Sequence, residues 1–131
     1  ITSASGKTFT QSDAKRLAEY DQIIFLCGRY EGIDHRVEQE LADEALSIGD
    51  YVLTGGERPA LVMTDAIARM VPKVLGSADS LTSESHTEEG TLEYPQYTKP
   101  EDYKGWKVPE ILLSGDHKKI AEWREEKQQK K

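Results

Sequence analysis

Residues 22–34 read QIIFLCGRYEGID, and the fold expected of the chain follows from this stretch. From Gln22 to Cys27 the side chains are mostly apolar and include β-branched isoleucines, and Gly28 follows at once. A short apolar run that ends at glycine favours a strand buried on both faces. The segment from Gly28 to Gly32 then contains two glycines within five residues. The stretch therefore predicts a buried strand that leads into a glycine-bearing loop.

A second strand and glycine loop are predicted in residues 46–57, LSIGDYVLTGGE. The expected strand covers Leu46–Leu53, is interrupted by Gly49 and ends before Gly55-Gly56. In open α/β sheets, ligands bind beyond the carboxyl ends of the strands. Two such loops side by side would offer backbone N–H and C=O groups to a flat, polar ligand such as adenine. On spacing alone, two ordinary turns are the simpler interpretation, and no phosphate-binding glycine motif is present.

Three helices are predicted in the first part of the chain, each with a recognisable start. Thr10 begins a capping box, Asp34 is a candidate cap, and Pro59 suits a first helical turn, where its missing N–H costs nothing. Helices and strands that alternate along a chain predict an α/β fold, here a mainly parallel sheet flanked by helices. The helices are expected at about 10–20, 34–42 and 59–71.

The chain changes in character after residue 76. Residues 77–90 are rich in Ser, Thr and Glu, which predicts a mobile linker between domains. Val108–Leu113 is expected to be a short strand, and Gly115–Lys131 a charged helix. We therefore expect a core at 1–76, the linker at 77–90, and at 91–131 a continuation of the linker that leads into a helical domain.

The overall charge bears on the class of partner. The 131 residues carry a formal net charge of -7 at pH 7, which argues against a simple nucleic-acid binder. In residues 111–131, however, six basic side chains outnumber four acidic ones. Any surface that binds phosphate must therefore be local. No apolar run approaches the roughly 20 residues of a membrane helix, so no membrane partner is expected.

Cysteine and histidine give no sign of a disulfide or a metal site. Cys27 is the single cysteine and is expected to be a small buried apolar residue. Nothing therefore points to an oxidising compartment, and a cytoplasmic location is expected. His35, His86 and His117 lie in different segments without the spacing of zinc ligands.

The two glycine loops, together with further motifs, resemble one family. LCGRYEGID at 26–34 and SIGDYVLTGGE at 47–57 are followed by VLG at 74–76, YPQYTKP at 94–100, LLSGDH at 112–117 and WR at 123–124. In this order and at this spacing, the motifs are similar to those of the bacterial tRNA (guanine-N1)-methyltransferase family. The resemblance covers almost the whole chain.

The resemblance implies a fold, an activity and a set of cofactor contacts. The implied fold is a deep trefoil knot of the SPOUT, or alpha-beta knot, class, a rare exception to the rule that chains do not thread loops. Such enzymes transfer the methyl group of S-adenosylmethionine to N1 of the guanosine immediately 3′ of the anticodon in tRNA. They depend on Mg²⁺ and act as homodimers with composite active sites. The implied cofactor-binding residues are Ser3, Gly28, Glu31, Ile48, Gly49, Tyr51, Leu53, Gly55 and Gly56.

The resemblance also implies two catalytic residues. N1 of guanine carries a proton at neutral pH that a base must remove, and the charge that develops on O6 needs a cation. Arg69 falls at the family's arginine position, with an ion pair to Asp65 as the plainer alternative. Glu84 falls at the family's aspartate position, where its carboxylate reaches about 1 Å further, a misplacement that matters for rate. Asp79 or Glu88 is the base instead if the loop register differs, and Glu84 is then only a solvated acid.

RNA contacts are expected near the end of the chain. Ser114, His117 and Lys118 lie where the family's linker enters its C-terminal helical domain and touches tRNA. Relative to the family, a strand-helix-strand unit before Ile1 and most of the C-terminal domain are expected to be missing. Two alternatives stay open: a non-catalytic cofactor-binding fragment or relative, and a knotted methyltransferase with a different RNA substrate.

Overall fold

The computed structural model describes residues 1–76, 84–87 and 90–130, which fall into two units, Ile1–Ala78 and Asp79–Lys131. The boundary between the units falls within the segment that the sequence predicts to be a linker. Asp79 and Glu88, the alternative candidates for the catalytic base, lie outside the described residues.

A parallel sheet organises the first unit. Strand β1 (Thr2–Thr8) pairs in parallel with β2 (Leu46–Ser47), and Thr2 also forms a parallel bridge with Cys27. The N–H of Thr2 donates to the carbonyl of Leu26 (3.1 Å). β1 therefore lies between the two segments that lead into the glycine loops. The sequence does not predict this strand, because TSASGKT has small or polar side chains and no apolar alternation.

The helices of the first unit begin where their capping residues predict. The capping box is confirmed: the Thr10 hydroxyl accepts from the N–H of Asp13 (3.4 Å), and the Asp13 carboxylate accepts from the N–H of Thr10 (3.1 Å). Asp34 caps the second helix by accepting from the N–H of Arg36 (2.9 Å). Each helix ends two or three residues before its expected end. The helices are α1 (Gln11–Leu17), α2 (His35–Glu40) and α3 (Glu57–Ala68).

The apolar core forms where α1 and α3 meet the sheet. Full burial of an aliphatic side chain contributes about 1.5–3 kcal/mol, so this cluster holds the helices in place. Phe25 and Ile48, which precede the two glycine loops, pack against it. Leu61 of α3 does not join the core, since its side chain is 69% exposed. The buried cluster consists of Ala14, Leu17, Leu46, Met63 and Ile67.

The prediction that Gln22–Cys27 forms a strand buried on both faces is wrong. Within the described part of the chain, Cys27 is the one residue of this segment that forms a bridge, and Ile24 is 72% exposed. β1 borders the segment only at its end. The residues before Cys27 therefore form no ladder with a described strand, although Phe25 packs against the core and the Leu26 carbonyl accepts from the N–H of Thr2.

The second predicted strand ends at Ser47 instead of Leu53. The Ser47 hydroxyl donates to the carbonyl of Gly49 (3.1 Å) and accepts from the N–H of Gly49 (3.2 Å). Gly49 has φ +150°, and its carbonyl also accepts from the N–H of Tyr51 (3.0 Å). Local hydrogen bonds of this kind compete with a strand ladder. The chain therefore turns at Gly49 rather than continuing along the sheet.

In residues 84–87 and 90–130, the described part of the second unit, the chain forms short strands and two helices. The strand expected at Val108–Leu113 is wrong, because Pro109 is the N-cap of a helix and its carbonyl accepts from the N–H of Leu112 (3.0 Å). The helix expected after Gly115 is confirmed, with Asp116 as its N-cap. Among the described residues, no helix has the length and apolar character that a membrane crossing needs. The elements are β3 (Thr91–Leu92), β4 (Asp102–Tyr103), β5 (Trp106–Lys107), α4 (Glu110–Leu113), α5 (His117–Lys127) and β6 (Gln129–Lys130).

Candidate functional site

The structure brings the two glycine loops into direct contact. We call residues 28–32 glycine loop 1 and residues 54–57 glycine loop 2. Arg29 and Gly55 form an antiparallel bridge, and the N–H of Gly56 donates to the carbonyl of Gly28 (2.8 Å). Glycine loop 1 begins directly after Cys27, which pairs with β1. The two loops therefore converge beside the sheet, whereas their spacing alone favoured two ordinary turns.

A cavity of about 410 Å³ lies where the loops meet. Its walls are the two glycine loops, the start of β1, and the turn that follows β2. Small-molecule sites commonly measure about 300–1,000 Å³, so the cavity is large enough for one such ligand. Every residue that the resemblance implies for cofactor binding lines this cavity, namely Ser3, Gly28, Glu31, Ile48, Gly49, Tyr51, Leu53, Gly55 and Gly56.

The cavity lining combines apolar side chains with carboxylates. Ile48 and Leu53, two of the implied cofactor-binding residues, supply apolar side chains to it. The Tyr51 hydroxyl donates to the carbonyl of Ile48 (3.2 Å), which ties the ring to the turn. Glu31 from glycine loop 1 and Glu38 from α2 add two carboxylates. Arg29 lines the cavity as well, but its guanidinium is paired with Glu57. The lining therefore suits a ligand with a flat apolar part and a positive charge.

The sequence-based set lacks several of the lining residues, among them Glu38 and Pro59. Glu38 lies four residues after Asp34, the cap of α2, so it lies one helical turn along a helix that follows glycine loop 1. That spacing is the signal that could have identified it. Pro59 lies in the first turn of α3, directly after glycine loop 2. Both residues enter the cavity because a helix begins close to each loop.

Gly56 lies too close to its neighbours to carry a side chain. A Cβ atom at this position would lie 3.0 Å from Cys27 Cα and 3.0 Å from Gly28 N, and it would also meet the Thr2 hydroxyl. Glycine permits this close approach of two backbone segments. The residues present therefore fit the cofactor that the resemblance implies, since residues of both loops line one cavity.

An ion pair links the two glycine loops. Arg29 Nε donates to Glu57 Oε1 at 2.6 Å, between residues 28 positions apart. The hydrogen bond with Glu57 raises the pKa of the Arg29 guanidinium. The same hydrogen bond lowers the pKa of the Glu57 carboxyl. Each partner thus favours the charged form of the other, and the pair is intact at neutral pH.

The two catalytic candidates belong to different units. Arg69 is half-buried at the end of α3, where its N–H donates to the carbonyl of Asp65 (3.1 Å). Glu84 belongs to the second unit, and its carbonyl accepts from the N–H (3.2 Å) and the hydroxyl (2.8 Å) of Thr87. The N–H of His86 donates to the carbonyl of Thr91 (2.6 Å). Residues 84–87 therefore form a turn that is attached to β3.

The three RNA-binding candidates lie at the junction of α4 and α5. Ser114 is the C-cap of α4, and its hydroxyl donates to the carbonyl of Ile111 (2.7 Å) and accepts from the N–H of Asp116 (3.2 Å). His117 and Lys118 form the first turn of α5. All three candidates are exposed. The junction therefore presents polar side chains on one tight, hydrogen-bonded turn.

Aromatic side chains order the rest of the second unit. Tyr97 and Trp123 pack with their ring centroids 6.3 Å apart, and the Arg124 guanidinium lies 4.9 Å from the centre of the Tyr94 ring. These residues line a second cavity of about 530 Å³. The contacts pack α5 against the irregular segment at 94–97.

No protein cluster for a metal ion is present in the ranges that the structure describes. Across residues 1–76, 84–87 and 90–130, no three His, Cys, Asp or Glu side chains are grouped so that they could hold a cation. Mg²⁺ is usually bound by one or two carboxylates together with substrate phosphates. The described residues therefore do not fit a magnesium site made by the protein alone.

Comparison with known proteins gives one consistent family. The family model described as tRNA (Guanine-1)-methyltransferase TrmD matches residues 1–131. A tRNA (guanine-N(1)-)-methyltransferase of Ruminiclostridium cellulolyticum is 56% identical over 122 residues, which is 93% of this chain and 52% of that protein. Its counterpart in Lactobacillus helveticus is 56% identical over 124 residues, 95% of this chain and 51% of that protein.

A third relative matches along the full chain. The tRNA (guanine-N(1)-)-methyltransferase of Dictyoglomus turgidum is 53% identical over 131 residues, which is 100% of this chain and 53% of that protein. The chain thus spans about half the length of the curated relatives it matches. With the family model matching from end to end and the glycine loops converging on one cavity, the chain belongs to the tRNA (guanine-1)-methyltransferase family.

Proposed function

We propose that the cavity between the glycine loops binds S-adenosylmethionine, and that the protein methylates N1 of the guanosine immediately 3′ of the anticodon in tRNA. The observation that carries this proposal is the convergence of nine family-matched residues on one cavity of about 410 Å³. Those residues are spread from Ser3 to Gly56. Their meeting at one place is what a shared ligand would require.

The residues of this chain have separate tasks in cofactor binding. Backbone groups of Gly28 and Gly55 offer hydrogen bonds, while Ile48 and Leu53 enclose the adenine. The N–H of Gly56 already donates to the carbonyl of Gly28, so Gly56 contributes close approach of the loops instead. The Glu31 carboxylate supplies negative charge for a cationic ligand. When bound, S-adenosylmethionine supplies a methyl group on a sulfonium, which is already a strong electrophile. Alignment and a nucleophile are then the remaining requirements.

Two further residues of this chain act on the guanine. N1 must lose its proton as the methyl group arrives, and the Glu84 carboxylate is the proposed base. Arg69 is the proposed cation for the charge that develops on O6. The family resemblance carries these two assignments. The carboxylate of a glutamate lies further from the backbone than that of the family's aspartate. We propose that the backbone of the turn at 84–87 compensates for this difference.

The remaining parts of the proposal concern partners and setting. Ser114, His117 and Lys118 are proposed to contact the tRNA, with Lys118 able to reach a phosphate. A homodimer with composite active sites and a deep trefoil knot are proposed from the resemblance. Mg²⁺ is proposed as a requirement of the reaction, with no protein ligand set assigned to it. Because tRNA is the proposed substrate, we propose a cytoplasmic enzyme.

Methyl transfer to two matched tRNAs tests the proposed function. The full-length protein is incubated with S-adenosylmethionine labelled in its methyl group and with a tRNA carrying guanosine or adenosine 3′ of the anticodon. We expect label only in the guanosine tRNA, at N1. No label in either tRNA would show that the enzyme proposal is wrong, and label elsewhere would indicate a different RNA site.

The base assignment has its own test. We expect Glu84→Gln to lower kcat strongly while the Kd for S-adenosylmethionine stays unchanged, since an amide cannot take a proton. The matched control is Glu93→Gln, a neutralised glutamate in the same unit whose side chain accepts from Gln96 (2.6 Å). An unchanged kcat for Glu84→Gln means that another group is the base.

A further inference from the structure

Arg29 and Glu57 stand on opposite sides of the contact between the glycine loops. Arg29 follows Gly28 in glycine loop 1, and Glu57 follows Gly56 in glycine loop 2. Their side chains meet at 2.6 Å, next to the backbone hydrogen bond from Gly56 to Gly28. The ion pair therefore adds a side-chain connection to the backbone connection between the same two loops.

The ion pair also packs on the loop that it holds. A Cβ atom at Gly55 would meet the Glu57 carboxylate and would lie 3.3 Å from Cγ of Arg29. The pair thus covers the backbone of Gly55, one of the cavity-lining glycines, and Arg29 itself lines the cavity. Any widening of the space between the loops at this point must separate the two charges.

Both side chains of the ion pair are exposed to solvent, so the pair can affect the site without contributing much to the stability of the fold. The side chains of Arg29 and Glu57 are 66% and 47% exposed, and exposed ion pairs add little to the stability of a fold. The helix end assists the pair, because Glu57 lies in the first turn of α3, where the helix dipole favours a carboxylate. Loss of the pair should therefore leave the fold intact and loosen only the loops.

We propose that the Arg29–Glu57 ion pair is a positioning pair that holds the two glycine loops at the spacing needed to bind the cofactor. The inference rests on the proposed function of the cavity. The pair acts through the loop backbone and does not take part in the chemical step. Its removal weakens cofactor binding and leaves the rate of methyl transfer at saturating cofactor unchanged.

A double-mutant cycle tests the positioning role in the full-length protein. For Arg29→Ala and Glu57→Ala we expect the Kd and KM for S-adenosylmethionine to rise about twofold to fivefold, with kcat unchanged. The double variant should bind no more weakly than either single variant, because the connection can be lost only once. Arg29→Glu should bind more weakly still, since it sets two carboxylates against each other, and adding Glu57→Arg should restore most of the affinity.

Arg36→Ala is the matched control. Arg36 also forms an ion pair of 2.6 Å on the surface, but its partner Asp34 is two residues away, so no second loop is connected. We expect this variant to bind S-adenosylmethionine as the wild type does. The melting temperature of the free protein should be similar for all variants, which separates positioning from general stability.

Several outcomes would overturn the inference. Additive losses in the double variant, no recovery in the charge-swapped protein, or a lower kcat at unchanged KM would each contradict a positioning role. A melting temperature that falls in proportion to affinity would indicate a structural role only. If the wild type itself does not bind S-adenosylmethionine, the proposed function fails and the inference fails with it. If the wild type binds and the cycle shows no coupling, only the inference is wrong.

Discussion

Replacement of Gly56 by alanine tests whether close contact between the glycine loops creates the cofactor site. The new Cβ atom would lie 3.0 Å from Cys27 Cα and 3.0 Å from Gly28 N. The Thr2 hydroxyl is also in the way, but a side chain can rotate to another staggered position. The other two contacts are with backbone atoms, so glycine loop 2 must move away from Cys27 and glycine loop 1.

The expected magnitude follows from the cost of overpacking. An extra methyl group in a well-packed site costs about 1–3 kcal/mol. If cofactor binding requires the original loop spacing, this cost is added to the binding free energy. Each 1.4 kcal/mol is a tenfold change, so the Kd for S-adenosylmethionine should rise about fivefold to 150-fold.

Titration calorimetry on the full-length protein measures this change directly. The control is Gly76→Ala, because a Cβ atom at Gly76 would meet no atom within 4 Å. We expect the control to bind as the wild type does. Wild-type affinity in Gly56→Ala, or an equal loss in both variants, would refute the argument from loop contact. A thermal melt of each free protein shows whether the variants are folded.

Four further predictions concern single side chains. Burial raises the pKa of Asp13, but hydrogen bonds from neighbouring lysine, threonine and arginine groups outweigh burial and lower this pKa from 3.8 to about 2. The ionised carboxylate therefore contributes about 2 kcal/mol of stability above roughly pH 4, which is lost as the pH falls towards 2. Urea unfolding across this range should show the loss in the wild type and not in Asp13→Asn. Thr10→Ala removes a helix cap and should lower the free energy of unfolding by about 0.5–2 kcal/mol, measured in the same way. Arg69→Ala should lower kcat with the Kd for S-adenosylmethionine unchanged, and the opposite pattern in kinetics and calorimetry would contradict its role at O6. Lys118→Ala should raise the Kd for tRNA and reduce its salt dependence by about one unit of slope in filter binding, if Lys118 contacts a phosphate.

Local sequence determined the helix starts and the order of the motifs. A capping residue such as Thr10 or Asp34 bonds to backbone groups within three residues, so a short stretch contains all the information needed. α5 followed Asp116 for the same reason. The glycine-bearing loops and their motif order also indicated the family, because those residues occur at fixed positions along the chain.

The strands were less predictable because a strand is completed by a distant partner. β1 has small polar side chains and forms because Thr2 can pair with Cys27 and with Leu46. The apolar run that ends at Cys27 suggested a buried strand, yet among the described residues only Cys27 of this run forms a bridge. Residues 108–113 were expected to form a strand, whereas Pro109 is the N-cap of a helix.

By itself, the sequence predicted which residues would bind a cofactor, through the family resemblance of its motifs and the placement of its glycines. Only the tertiary structure decided that residues from Ser3 to Pro59 line one cavity, that Glu38 joins them, and that Arg29 meets Glu57 across the loops. The physical reason is range. Helix caps and turns are made by neighbours in the chain, whereas a cavity and a cross-loop ion pair exist only after sheet pairing and core packing bring distant segments together.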